Sequence, residues 1–317
     1  MLGIGIRRKS VLPAALVLAS VATWAHAAKT FNACMESTGD AYSSCTKGAK
    51  SERDIISGRC ANLPDKTARQ VCDQQAAAEK TDALDDCRAQ REARRAVCDR
   101  LGRAPYSPTI DLANFTASTT IDNPFFPLVP GTTFIYRGQT AQGLEIDDFA
   151  VTHNTRLIRG VTCVEVHDTV TVDGKLTEDT LDWFGQDKDG NVWYFGENSR
   201  EIADGLITSI EGSWMAGVDG AQPGIVMEAH SAVGDFYRQE FLLGDAEDLA
   251  EVASLTESVT VPLRPQPFEN CLKTTETSPL EPDALENKFY AAGVGNLLTI
   301  DLSTGEKSEL VQIMKES

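Results

Sequence analysis

VTCVEVHDTVTVDGKLTEDTLDWFGQDKDGNVWYFGENSREIADGLITSIEGSW, residues 161–214, decides the fold. The dipeptide Asp-Gly occurs at 173–174, 189–190 and 204–205, then again at 219–220. Asp-Gly supplies the positive φ that tight hairpin turns require. Between these turns Val161 to Val172, Lys175 to Phe184, Val192 to Ile202 and Leu206 to Trp214 are rich in Thr, Val, Ile, Trp and Tyr, often in alternation, and read as strands. Working outward, Thr132 to Tyr136 and Phe149 to Thr152 precede them. Asp235 to Leu243, Ser258 to Leu263, Cys271 to Thr277 and Leu285 to Tyr290 follow. Roughly ten antiparallel strands on short turns predict a meander, either a curved sheet or an open barrel. In this region only Asp245 to Leu255 reads as a helix.

Upstream the pattern changes. Thr67 to Leu101 is dense in Ala, Arg, Gln, Glu and Asp and lacks Gly and Pro, which predicts helix. Asp65 or Thr67 can cap its start, and Gly102 stands where a terminating glycine belongs. Six Cys lie between 34 and 98, at steps of 11, 15, 12, 15 and 11. That series reads the same in both directions. In an antiparallel helix pair it would match Cys34 with Cys98, Cys45 with Cys87 and Cys60 with Cys72. Six Cys permit 15 pairings, and spacing alone leaves the choice open. A helical hairpin of this size buries little apolar surface and needs such staples. With no C-x-x-C and no nearby His, a zinc site is a poor reading. The fold class is therefore α+β: a disulfide-stapled helical hairpin, then an antiparallel β meander.

Charge divides the chain at the same place. Residues 29–103 carry 14 Lys and Arg against 12 Asp and Glu, whereas 104–317 carry 12 against 35. The breaker-rich Gly102 to Pro108 reads as the linker. Before residue 29, Arg7, Arg8 and Lys9, an apolar Val11 to Val21 and Ala25-His26-Ala27 have the layout of a signal peptide. The domains expected are a signal peptide at 1–28, a cysteine hairpin at 29–103 and an acidic β domain at 104–317. The location expected is periplasmic or secreted, with the export route open and no membrane span in the mature chain. The net charge of −18 argues against nucleic acid as a partner.

Chemistry-bearing motifs are few. G-x-S-x-G, G-x-G-x-x-G, H-E-x-x-H and C-x-x-C-H are all absent. Asp187, Asp189 and Asn191 resemble the start of a calcium loop, but the position where its closing Glu belongs is Asn198, so a tight turn is the plainer reading. No cofactor is expected, with Ca2+ the one candidate. The acidic run Asp245, Glu247, Asp248 and Glu251 reads as a solvated helix start. Cys163 and Cys271, an isolated pair on strands, are expected to bridge. Trp183, Trp193, Phe195 and Trp214 fall on successive strands; they fill a core or line a concave face for a hydrophobic ligand.

Asn123-Pro124-Phe125-Phe126-Pro127-Leu128, Pro130-Gly131-Thr132, Asp182-Trp183, Gln186 to Glu197, Glu211-Gly212-Ser213-Trp214, Tyr237-Arg238-Gln239-Glu240 and Tyr290 to Gly295 resemble a family of uncharacterised exported bacterial proteins. The resemblance covers roughly 120–300 and implies a secreted β domain without an activity to transfer. The leading expectation is a non-catalytic binding protein of the cell envelope, for a hydrophobic molecule or a protein partner. A hydrolase using carboxylates or a scattered triad is the alternative, and a calcium-dependent structural or adhesive protein a third. An aromatic cavity without convergent titratable groups would favour binding; two carboxylates meeting in a cleft would favour the hydrolase.

Overall fold

Helix-favouring composition and a cap at each end set the first two elements. In the computed structural model, which describes residues 32–316, helix α1 spans Ala33–Ala61 and α2 spans Lys66–Leu101. The expected signal peptide lies outside the described residues. Asn32 caps α1, and Asp65, not Thr67, caps α2 by accepting the Ala68 N–H at 2.7 Å. Gly102, at φ +97°, ends α2.

The helices run antiparallel, and all three nested bridges form: Cys34–Cys98, Cys45–Cys87 and Cys60–Cys72. Little else joins them. Thr38 and Cys60 are the buried residues of α1; Ala76, Cys87, Arg94, Val97 and Cys98 are those of α2. The cysteines are themselves much of the seam.

The rest is a sheet of sixteen strands. These are β1 (Thr132–Gln139), β2 (Leu144–Ile158), β3 (Val161–Val172), β4 (Lys175–Gln186), β5 (Val192–Asn198), β6 (Glu201–Ala203), β7 (Leu206–Ser209) and β8 (Trp214–Met215). There follow β9 (Gln222–Met227), β10 (Phe236–Arg238), β11 (Glu240–Phe241), β12 (Leu249–Val261), β13 (Arg264–Thr277), β14 (Leu285–Ala291), β15 (Gly295–Asp301) and β16 (Lys307–Lys315). Pairing is antiparallel throughout; thirteen strands follow the order β10-β12-β13-β14-β15-β16-β1-β2-β3-β4-β5-β9-β11, with β6 and β7 branching from β4 and β8 from β5. The ladder is open, yet its end strands β10 and β11 are separated by Gln239 alone. The sheet thus curls until its two ends adjoin. At that seam a Cβ on Gly224 would collide with the backbone of Arg238 and Gln239, so only glycine fits.

Asp173-Gly174 and Asp204-Gly205 adopt the double positive φ of tight hairpin turns, and Arg159-Gly160 does the same between β2 and β3. Alternation in the meander puts the turns at 140–143, 173–174, 278–284 and 302–306 at one end, called upper here. Those at 159–160, 187–191 and 292–294 lie at the lower end. Residues 121–131 close the lower end: Ile121 and Leu128 form a bridge, and the Gly293 N–H donates to the Pro124 carbonyl at 2.7 Å. Asn123 fastens this plug through its Nδ2, which donates to the carbonyls of Gly190 and Glu228.

Three expectations are corrected. Residues 245–255 are not helix: 245–248 are turn and irregular chain, and 249–255 start β12, because Leu249, Ala250 and Val252 are buried between β10 and β13, and that packing overrides helical propensity. Strands β9, β15 and β16 were not expected at all. Cys163 and Cys271 are free and buried. Cys163 belongs to a cluster around Trp183 and Phe195, and Cys271 to the barrel core around Val164 and Leu310, so they sit in different cores and cannot meet.

Candidate functional site

The inner face of the barrel changes character along its axis. Toward the plug it presents Phe134 on β1, Val151 on β2, Val164 and Val166 on β3, Phe184 on β4 and Leu310 on β16, all buried in one core. Further up the same faces the residues turn acidic. Glu145 and Asp147 stand on β2, Asp168 on β3, Glu178 and Asp182 on β4, Glu276 on β13 and Glu286 on β14. Between them lies a cavity of about 560 Å³, floored by Phe126, Pro127 and Leu128 of the plug. An adjoining recess of about 340 Å³ shares Glu240, Asp248, Glu276, Glu286 and Lys288 and reaches the loop at 278–284.

Lys288 is the one cation among the residues lining the cavity, and it is already engaged. Its Nζ lies 2.8 Å from Glu276 Oε2 and 3.6 Å from Glu286 Oε2. Glu276 also accepts from Thr274 and Tyr290 through Oε1. The opposite wall, β2 to β4, has no such partner. Asp147 and Asp168 are diagonal neighbours on β2 and β3, and burial together with the nearby Asp168 charge favours a proton on Asp147. The Oδ1 of each is buried and receives no hydrogen bond. Next to them the Tyr194 hydroxyl is 2.5 Å from Asp182 Oδ1 and 3.0 Å from Glu197 Oε2. One hydroxyl carries one proton, so this trio also needs an extra proton to satisfy both contacts. Glu240 accepts the Trp214 indole N–H at 2.6 Å.

Burial, reinforced by neighbouring carboxylates, sets the titration of this wall. It pushes Asp147 well above the ordinary carboxyl range and Asp168 up to about 6. It raises Asp182 and Glu240 strongly, and Glu197 to about 7. Because these groups hold protons more tightly folded than unfolded, their protonation stabilises the fold fully below about pH 4, near their unfolded values. That contribution fades as pH rises through about 6 to 7, where the folded groups ionise. Thermal melts of the empty protein should therefore show a higher melting temperature at pH 5 than at pH 8. A flat or rising profile would mean the wall is solvated and ionised.

The residues singled out from sequence lie elsewhere. Trp183, Phe195 and Trp214 are buried together, with Trp193 against them, in a second cluster on the outer face of β3 to β5, beneath Phe115 and Ala216. None of the four lines the cavity. Trp214 alone reaches it, through Glu240. Asp187 fixes the β4–β5 turn: Oδ1 accepts from the N–H groups of Asp189 and Asn191, and Oδ2 from Asn191 Nδ2 and Trp193 Nε1. Both of its oxygens are thus occupied by protein donors, and Asn191 Oδ1 is occupied by the Ala229 N–H. Among the described residues no group of three or more His, Cys, Asp or Glu is arranged to hold a metal ion. Adding millimolar calcium should leave the melting temperature unchanged. Asp187→Ala should lower stability by roughly 2–4 kcal/mol with or without calcium, since it strands the Trp193 indole N–H. A calcium-dependent rise in melting temperature lost in that variant would restore the metal reading.

The cavity acids were legible in principle. In β2, β3 and β4 they fall on the same alternate positions as the inward apolar residues, as in Val164, Val166, Asp168 and in Thr180, Asp182, Phe184. A solvent-facing acid would take the opposite parity.

No family model matches the chain, and no curated protein is similar to it. Among solved structures, the crystal structure of a "putative lipoprotein" from Parabacteroides distasonis ATCC 8503 is 14% identical, covering 60% of this chain and 98% of that one, with a TM-score of 0.33. A likeness that slight carries no statement about function.

Proposed function

We propose that this is an exported, non-catalytic binding protein of the cell envelope whose barrel holds one small molecule between an apolar floor and carboxyl-lined walls. The observation that carries this reading is the cavity: closed below by residues 121–131, open above, and about 560 Å³ in volume. Ligand sites in proteins span about 300–1,000 Å³ and combine apolar surface with a few convergent polar groups. Three disulfides support an oxidising compartment. Among the described residues no helix is long and apolar enough to cross a membrane. Native mass spectrometry of protein purified undenatured from its own source should show an adduct of small-molecule mass that is lost on collisional heating. A bare chain, together with no melting shift in an extract of the same compartment, counts against it.

One observation favours the hydrolase as a second reading. Asp147 and Asp168 meet in the cavity with different proton affinities, the arrangement a general acid and base require. Binding is preferred because the walls offer no nucleophile beside a base and no focused donor set for a developing negative charge. Turnover of an ester or glycoside, abolished by Asp168→Asn, would reverse that preference.

A further inference from the structure

We infer that the molecule held in the barrel is an organic cation with an apolar body, an amine or amidine whose charged end sits against Asp147, Asp168 and Asp182. This rests on the container reading above and specifies its ligand. Asp147 lies on β2, Asp168 on β3 and Asp182 on β4, each diagonal to the next across the ladder: Asp147 is opposite Val170, and Val166 opposite Asp182. Their carboxyls therefore form one patch on the inner face. The patch has no cation of its own, since Lys288 is held by Glu276 and Glu286 on the far wall.

Two oxygens of the patch, Asp147 Oδ1 and Asp168 Oδ1, are buried acceptors without donors. Buried polar atoms left without partners are costly, and few persist unless something else satisfies them. An ammonium brings three donors and one positive charge, which answers both deficits at once. Below the patch the surface is aromatic, with Phe134, Phe149, Phe184 and Tyr194 lining the cavity. Ring faces attract cations and also bury alkyl groups. A bare metal ion matches neither the volume nor this mixture of rings and carboxyls, and no metal-holding group is found among the described residues. An anion would meet a wall of its own sign.

The test is calorimetric titration of the whole protein with three probes that share one tail: n-octylamine, octan-1-ol and octanoate, with calcium chloride as a fourth. Octylamine should bind at least about tenfold more tightly than octanol, the gain of one charge-assisted hydrogen bond, and octanoate should not bind. The double variant Asp147→Asn/Asp168→Asn should lose that tenfold for the amine and keep the affinity for octanol. Because Asn resembles a protonated Asp in shape, the variant should fold; the two single variants, melted separately, check this.

Equal binding of amine and alcohol, preference for octanoate, or an amine affinity unchanged in the variants overturns the cation while leaving the container. Tight calcium binding that displaces the amine replaces the organic cation with a metal. If none of the probes binds, the container reading falls, and the inference with it.

Discussion

Arg94→Ala is expected to lower the stability of the whole protein by about 3–5 kcal/mol, read from urea unfolding, the range for removing one partner of a buried ion pair. Arg94 of α2 grips Glu247 with Nε at 3.0 Å from both carboxylate oxygens and Nη2 at 2.7 Å from Oε1. The side chains are 6% and 1% exposed. Glu247 Oε1 also accepts the Gly244 N–H at 2.8 Å, which anchors the carboxylate in place. Without the guanidinium, a carboxylate is left in a site that excludes water. The double change Arg94→Met/Glu247→Leu should recover most of the loss, since no charge is then stranded. If Arg94→Ala costs less than about 1 kcal/mol, the upper end for exposed pairs, the pair is solvated.

Arg100 and Glu251, at 2.7 Å but 43% and 40% exposed, are such a surface pair, and breaking it should cost about 0–1 kcal/mol. Arg91 stacks on Tyr42, and Arg88 pairs with Asp85 within α2. Arg94 thus makes a buried ion pair from α2 to the chain beyond the hairpin, whereas the Arg100 pair is exposed. Removing the whole hairpin would bare Glu247 to water and so relieve part of the penalty that Arg94→Ala imposes. We therefore propose that residues 104–317 remain a folding unit without the hairpin. A cooperative melt of that fragment is the check.

Reduction of the three disulfides is expected to unwind α1 and α2 while the sheet persists. The bridges close loops of 64, 42 and 12 residues. Taken singly, the chain-entropy account assigns roughly 3–4 kcal/mol to each, and the nested set contributes less than their sum. The helices have little else to hold them to each other, because their buried residues are few and three of the seven are the cysteines themselves. Circular dichroism at the helical band should lose the signal of 29- and 36-residue helices on reduction, with strand signal retained. An unchanged helical band would show that packing against the sheet suffices. Protein reduced and then reoxidised should regain it.

Some of this was legible because it depends on short-range rules. The Asp-Gly turns at 173–174 and 204–205 follow from a backbone preference of the dipeptide itself. The mirror spacing of six cysteines admits an antiparallel pair at once. Arg159-Gly160 turns the chain just as sharply without the usual Asp, and so passed unnoticed. Strands β15 and β16 were missed because their buried residues, Leu297, Leu298 and Leu310, gain their meaning only when β16 pairs with β1 from the far end of the chain.

The acidic run at 245–251 shows where sequence stops. Read alone, it is a helix start with charges in water. In the fold Glu247 is clasped by Arg94, Asp248 lines the cavity and Glu251 meets Arg100. Three near neighbours in sequence serve three environments, because Glu247 and Asp248 lie in the irregular segment that leads into β12 while Glu251 lies on the strand itself.

The sequence by itself determined the helical segment with its mirror-spaced cysteines and the antiparallel meander with its Asp-Gly turns, since each follows from spacing, backbone preference and period along the chain. The tertiary structure alone decided that the sheet curls until its ends adjoin, that its tryptophans pack outside, and that its acids point inward. The physical reason is that a carboxyl's cost depends on what surrounds it. Whether Asp147, Asp168 and Asp182 stand in water or crowd together inside a curled sheet is fixed by strands that are distant in sequence and brought together only when the ends of the open sheet adjoin.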